Sequence, residues 1–155
     1  MSGTDPVVAV LDDIRHLRRP FRLTGRVQAY AWGGHTFLRN LTGLDLPRDR
    51  PAAEWWLGAH PSATSVITTT HGACGLDAAI ASSPAALLGP DVAARFGGRL
   101  PYLLKVLDVR QMLSIQAHPS KRQAEEGFAR ENRAGVPPDA SHRNYRDDNH
   151  KPEAQ

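Results

Sequence analysis

Gln116 and His118 stand two residues apart in Leu113-Ser114-Ile115-Gln116-Ala117-His118-Pro119, a stretch in which apolar and polar residues alternate. Alternation of this kind predicts a strand, and side chains two apart on a strand share a face. Gln116 and His118 are then side by side, with Ser114 next to them. An amide oxygen and an imidazole nitrogen so placed can bind a divalent metal. Glu153, in Asn149-His150-Lys151-Pro152-Glu153, offers a third, anionic ligand if the chain folds back. Pro152 holds Lys151 extended and keeps a helix from forming just before Glu153. On the residues alone a second reading stands beside this one. Glutamine is an uncommon metal ligand, and a single histidine on a strand more often serves as a hydrogen-bonding group.

The elements that must position these residues can be read in outline. Tyr102 to Val109 reads as a strand and Leu113 to Ala117 as the next, with Asp108 to Gln111 as a hairpin connection. Ser120-Lys121-Arg122-Gln123 fits a capping box that opens a helix, and Gly135 is placed to end it. Residues 135–152 read as loop. Upstream, residues 7–18 have apolar side chains at helical spacing, followed by Pro20. Phe21 to Tyr30 reads as a strand, Gly33-Gly34 as a turn and Thr42 to Ala52 as loop. The β-branched run Ser65 to Thr70 reads as a strand. Leu76 to Ser82 and Pro90 to Phe96 read as short helices, the second ended by Gly97-Gly98. The pattern alone gives a mixed α and β chain, rich in strand, without internal repeats.

Five segments resemble, in order, signature segments of the type I mannose-6-phosphate isomerases, zinc enzymes of the cupin superfamily. They are Tyr30-Ala31-Trp32-Gly33, Ala53-Glu54-Trp55-Trp56-Leu57-Gly58-Ala59-His60-Pro61-Ser62, Leu100-Pro101-Tyr102-Leu103-Leu104-Lys105-Val106-Leu107, Leu113 to Pro119, and Asn149 to Glu153. The similarity runs from about Tyr30 to Glu153. It implies a fold that is mainly β with helical insertions, part of a cupin jelly-roll β-barrel. Residues 1–20 would be an N-terminal helical extension and residues 21–155 an incomplete catalytic domain lacking its C-terminal half. Members of the family are more than twice this long, so the chain is expected to be an N-terminal piece.

The resemblance also implies the chemistry, which is proton transfer between C1 and C2 of a hexose phosphate through an enediol. One Zn2+ would be held by Gln116, His118 and Glu153, with a fourth ligand, a histidine, expected far downstream. Trp32, Glu54, Lys105 and Ser114 would line the pocket. Lys105 would stabilise the enediolate or shuttle protons, and Glu54 would carry a proton or bind sugar hydroxyls. Trp32 and Ser114 would bind substrate. Each also has a plainer reading: Lys105 snorkelling from a strand, Glu54 as a loop carboxylate paired with arginine, the tryptophans as core. His60 reads as structural and His150 as a loop-ordering group.

The bulk properties narrow the partners. The 155 residues are about one domain's worth, and 41% are hydrophobic. The net charge of +3 is spread over interspersed acids and bases, with no basic stripe interleaved with aromatics. Arg15-His16-Leu17-Arg18-Arg19 reads as a solvated helix end. The expected partner is therefore a small sugar phosphate, with neither nucleic acid nor membrane, and no pattern specifies an oligomeric state. No apolar run reaches spanning length. The single cysteine, Cys74, excludes an internal disulfide and fits a reducing, cytoplasmic setting.

Overall fold

The computed structural model describes residues 6–17, 19–113 and 115–152. The chain divides into two units, residues 1–113 and 114–155.

In the first unit a single extended segment serves two sheets. It forms β1 (Arg22–Thr24) and, after Gly25, β2 (Arg26–Gln28). Gly25 is buried, and a Cβ there would run into the Trp55 ring and the Trp56 carbonyl oxygen. Only glycine lets the backbone pass this close, so the expected Phe21–Tyr30 strand breaks here and changes sheet. After β2 come α2 (Phe37–Thr42), β3 (Glu54–Leu57), β4 (Val66–Thr69) and β5 (Gly72–Gly75). β1 joins the antiparallel sheet β1-β4-β5, and β2 joins β2-β3-β6, where β6 is Leu104–Leu107. Between β5 and β6 run α3 (Leu76–Ser82), α4 (Pro84–Leu88) and α5 (Pro90–Arg95). Pro84 and Pro90 occupy first-turn positions of α4 and α5, where the missing N–H costs nothing.

The core of this unit lies under the first sheet. Val10, Ile67, Cys74 and Ala79 are buried together, with Leu11, Ile14, Phe21, Leu76 and Leu87 packed against them. Val10, Leu11 and Ile14 come from α1 (Pro6–His16), whose apolar side therefore covers β4 and β5.

The second unit has one helix, α6 (Lys121–Arg133). Its start is the expected capping box. Ser120 Oγ accepts from the Gln123 amide at 3.4 Å, and Gln123 Oε1 accepts from the Ser120 amide at 2.9 Å. Gly135 follows with a left-handed φ of 71° and ends it.

Two expectations fail. Leu113 to Ala117 is not a strand among its described residues, and Asp108 to Gln111 is not a hairpin. The hydrogen bonds of 108–111 go instead to the Trp32–Gly34 turn. Gly34 N donates to Asp108 O at 2.9 Å, and the amides of Arg110 and Gln111 donate to Trp32 O at 3.0 and 3.1 Å. A segment committed to that turn cannot reverse the chain, and the described residues of 113–117 have no ladder partner. Ile115 is fully exposed. Among the described residues the structure is mixed, with six helices beside six strands of three or four residues, so helix takes a larger share than expected.

Candidate functional site

Strand alternation puts Glu54 and Trp56 on one face of β3, and both are buried to about nine-tenths. The register sets Lys105 of β6 directly opposite Trp56, and Leu107 opposite Glu54. On the other side, Arg26 and Gln28 of β2 pair with Trp56 and Glu54. The two residues expected to carry the chemistry therefore share a sheet face. Lys105 Nζ lies 3.6 Å from Glu54 Oε2 and 5.0 Å from the centre of the Trp56 ring. The Trp56 indole N–H donates to the same Glu54 oxygen at 2.5 Å. Glu54 is a strand carboxylate paired with lysine, not a loop residue paired with arginine. Lys105 keeps about a third of its side chain in solvent, which leaves its ammonium accessible.

His60 abuts Trp56 edge-on, with ring centres 5.0 Å apart. Its Nδ1 accepts from the Ser62 amide at 3.2 Å and lies 2.8 Å from Ser62 Oγ. This agrees with the structural reading of His60. Trp32 stacks on Tyr30, with ring centres 5.7 Å apart and planes at 27°. The Tyr30 phenol is pushed above its ordinary range, first by burial and then by the negative charge of Glu54.

The metal-ligand candidates belong to the second unit. Gln116 and His118 line one concavity of about 380 Å³ together with Tyr145, Asp147, Asn149 and Lys151. They gather there without the strand that was expected to align them. The wall opposite is held against α6 by buried groups. The Arg143 side chain is fully buried and donates to Tyr145 O and Asn132 Oδ1, both at 2.7 Å, and to the Val136 carbonyl. Its guanidinium lies 5.0 Å from the Phe128 ring centre. Glu131 accepts from the amides of Tyr145 at 2.8 Å and Asn144 at 3.1 Å. These bonds, that from Tyr145 foremost, hold the Glu131 carboxyl below its ordinary range. A Cβ on Gly127 would strike the Tyr145 ring, so the helix is glycine where the loop crosses it. Further on, Asp147 accepts from the Asn149 amide at 3.0 Å and from Lys151 Nζ at 2.6 Å. Burial raises the Asp147 carboxyl, but the bonds from Lys151 and Asn149 and the charges of Lys151 and Lys121 outweigh it and lower it.

A histidine and a glutamine lining one concavity can offer an imidazole nitrogen and an amide oxygen to a divalent metal, which is only part of a site. Glu153, expected to add the anionic ligand, and Ser114, expected to bind substrate, lie outside the described residues. Among the described residues no three His, Cys, Asp or Glu side chains gather to hold a metal. Sequence reasoning passed over Lys151 and Asp147. Lys151 lies inside a segment valued for Glu153 and His150, and with Asp147, to which its ammonium donates, it lines the concavity.

Residues 20–155 match the family profile of phosphomannose isomerase type I, catalytic domain. Mannose-6-phosphate isomerase of Salmonella typhimurium is 53% identical over 133 residues, covering 85% of this chain and 34% of that one. The enzyme of the same name from Emericella nidulans is 47% identical over 141 residues, covering 85% of this chain and 28% of that one. A crystal structure of the Salmonella typhimurium protein bound to substrate (F6P) and zinc matches at a TM-score of 0.75 and 51% identity, over 84% of this chain and 33% of that one. The chain thus spans about a third of the length of the relatives it matches.

Proposed function

Because the chain belongs to the type I phosphomannose isomerase family by its catalytic domain, we propose that it carries part of the machinery for interconverting mannose 6-phosphate and fructose 6-phosphate. One observation carries this reading: Lys105 and Glu54 come within 3.6 Å on a single sheet face. An aldose–ketose isomerase must move a proton between adjacent carbons, and a paired ammonium and carboxylate can hold and release protons at Nζ and Oε2. Glu54, gripped by the Trp56 N–H, accepts hydrogen bonds from sugar hydroxyls. Lys105, partly open to solvent, faces the oxygen that gains negative charge. Trp32, backed by Tyr30, supplies an aromatic surface for the sugar ring, and Ser114 adds a hydroxyl for substrate.

Gln116, His118 and Glu153 would hold zinc, which when bound acts as a Lewis acid toward the sugar oxygens. The shared concavity of Gln116 and His118 supports this assignment. So does the zinc named in the relative's structure. Family membership likewise supports a cupin β-barrel for the whole domain, to which the two small antiparallel sheets would contribute. We read residues 1–20 as an extension preceding the catalytic domain of 21–155, which agrees with a family match that begins at residue 20. A small sugar phosphate is the partner, and the single cysteine favours the cytoplasm. Among the described residues no helix is long and apolar enough to cross a membrane.

The test is a chimera in which residues 20–155 replace the matching third of a bacterial relative. Conversion of mannose 6-phosphate, lost on Lys105→Ala, is expected. A folded, zinc-loaded chimera without turnover would overturn the reading in favour of a sugar-phosphate-binding or inactive module.

A further inference from the structure

Trp56 has the size and burial of an ordinary core residue, yet the groups around it are polar. Its N–H is spent on the Glu54 carboxylate, its ring lies under the Lys105 ammonium, and the His60 ring meets it edge-on. The register explains why such a residue is needed. Glu54 stands opposite Leu107, so Lys105 is its diagonal neighbour two residues along β6. Diagonal neighbours across an antiparallel pair are separated by roughly 7–8 Å and meet only through long side chains turned toward each other. The indole N–H of Trp56, directly opposite Lys105, draws Glu54 Oε2 in that direction. The same oxygen then receives both the N–H at 2.5 Å and the ammonium at 3.6 Å. A cation over an indole face is attracted by the ring quadrupole, so Trp56 also holds the Lys105 end of the pair.

We infer that Trp56 is a positioning residue for the Glu54–Lys105 pair: its N–H fixes the carboxylate and its ring face fixes the ammonium. The inference rests on the isomerase reading for its catalytic meaning, but the positioning can be measured without turnover. His60 supports the arrangement from behind. Its ring is fixed by Ser62 and in turn limits rotation of the indole.

Two measurements on the unreacted 155-residue chain test it. In a ¹⁵N–¹H spectrum the three indole N–H resonances belong to Trp32, Trp55 and Trp56. Glu54→Gln replaces a charged acceptor by a neutral one, so the Trp56 resonance should move upfield far more than the other two. The second measurement is the rate of lysine acetylation at Lys105, read by peptide mass spectrometry against Lys121 and Lys151. Trp56→Phe keeps a ring under the ammonium but removes the N–H. Glu54 is then free to turn away, and Lys105 should react about threefold faster, the scale of a partly exposed ion pair. Lys121 and Lys151 should be unaffected. A Trp56 resonance indifferent to Glu54→Gln would overturn the inference, as would an unchanged Lys105 rate in folded Trp56→Phe. If Trp56→Phe fails to fold, the Glu54→Gln arm decides alone. Failure here beside an active chimera would remove Trp56 and leave the isomerase reading standing; success beside an inactive chimera would do the reverse.

Discussion

His71 Nδ1 lies 2.8 Å from Asp13 Oδ2, tying the turn between β4 and β5 to α1. The Asp13 carboxyl is held below its ordinary value, first by the hydrogen bond from His71. Burial pushes it up, and the hydroxyls of Thr69 and Thr70 and the charge of His71 add to the lowering. A carboxyl lowered in the folded state contributes stability that is present above its unfolded value and lost as pH falls through the folded one. Circular-dichroism melts should therefore show Asp13→Asn less stable than the parent near neutrality. The gap should close on acidification, as pH falls through the lowered value of the folded-state carboxyl. A gap that persists at low pH would mean the carboxylate charge is irrelevant to the clasp.

The helix it ties down belongs to the core although it precedes the family match. Val10 is fully buried against Ile67, Cys74 and Ala79. Val10→Ala should cost about 1–3 kcal/mol in urea unfolding, the range for losing buried methyl groups and leaving a cavity. Cys74, whose thiol burial pushes above its ordinary range, should react faster with a thiol reagent in that variant. Parent-like stability and thiol reactivity would show α1 to be dispensable.

Arg143 is the corresponding anchor of the second unit. Its removal leaves the Tyr145 and Val136 carbonyls and Asn132 short of a donor and takes the cation from beside the Glu131 carboxylate, 3.7 Å away. Arg143→Ala should destabilise by about 3 kcal/mol, as expected when one member of a buried charged network is deleted. Arg143→Lys should not restore it, because a single ammonium cannot reproduce the guanidinium fork. Amide hydrogen exchange in α6 reads the effect directly, and unchanged protection would refute the anchoring role.

How much of this was legible beforehand depended on whether the signal was local. The start of α6 is a four-residue rule, Ser120 to Gln123, and it appears where expected. α3, bounded by the same residues as expected, and β4 likewise follow from composition over a few residues. β3 escaped notice because Glu54-Trp55-Trp56-Leu57 takes its strand character from β2 and β6, both distant in sequence. The strand expected at 113–117 is the same limitation reversed, since the alternation of its described residues finds no partner. At the site, resemblance supplied Glu54 and Lys105 as separate residues. Their pairing and the part of Trp56 follow only from a register that no local pattern encodes. Arg143 lay in residues 135–152, read only as loop, and no local pattern marked it as buried.

The last prediction separates the two kinds of site residue. In the chimera, His118→Ala removes the imidazole donor of the proposed metal set and should abolish zinc retention and turnover together. Lys105→Ala removes the ammonium that pairs with Glu54 and lies over the Trp56 ring. It should leave zinc bound and lower kcat by about 10²–10⁴-fold, the usual contribution of a positioned proton carrier. Zinc is measured by plasma mass spectrometry after dialysis and turnover by the appearance of fructose 6-phosphate. Equal loss of zinc in both variants would mean that Lys105 supports the metal rather than the proton transfer. Retention of zinc in His118→Ala would remove His118 from the ligand set and return it to the hydrogen-bonding role that the sequence alone left open.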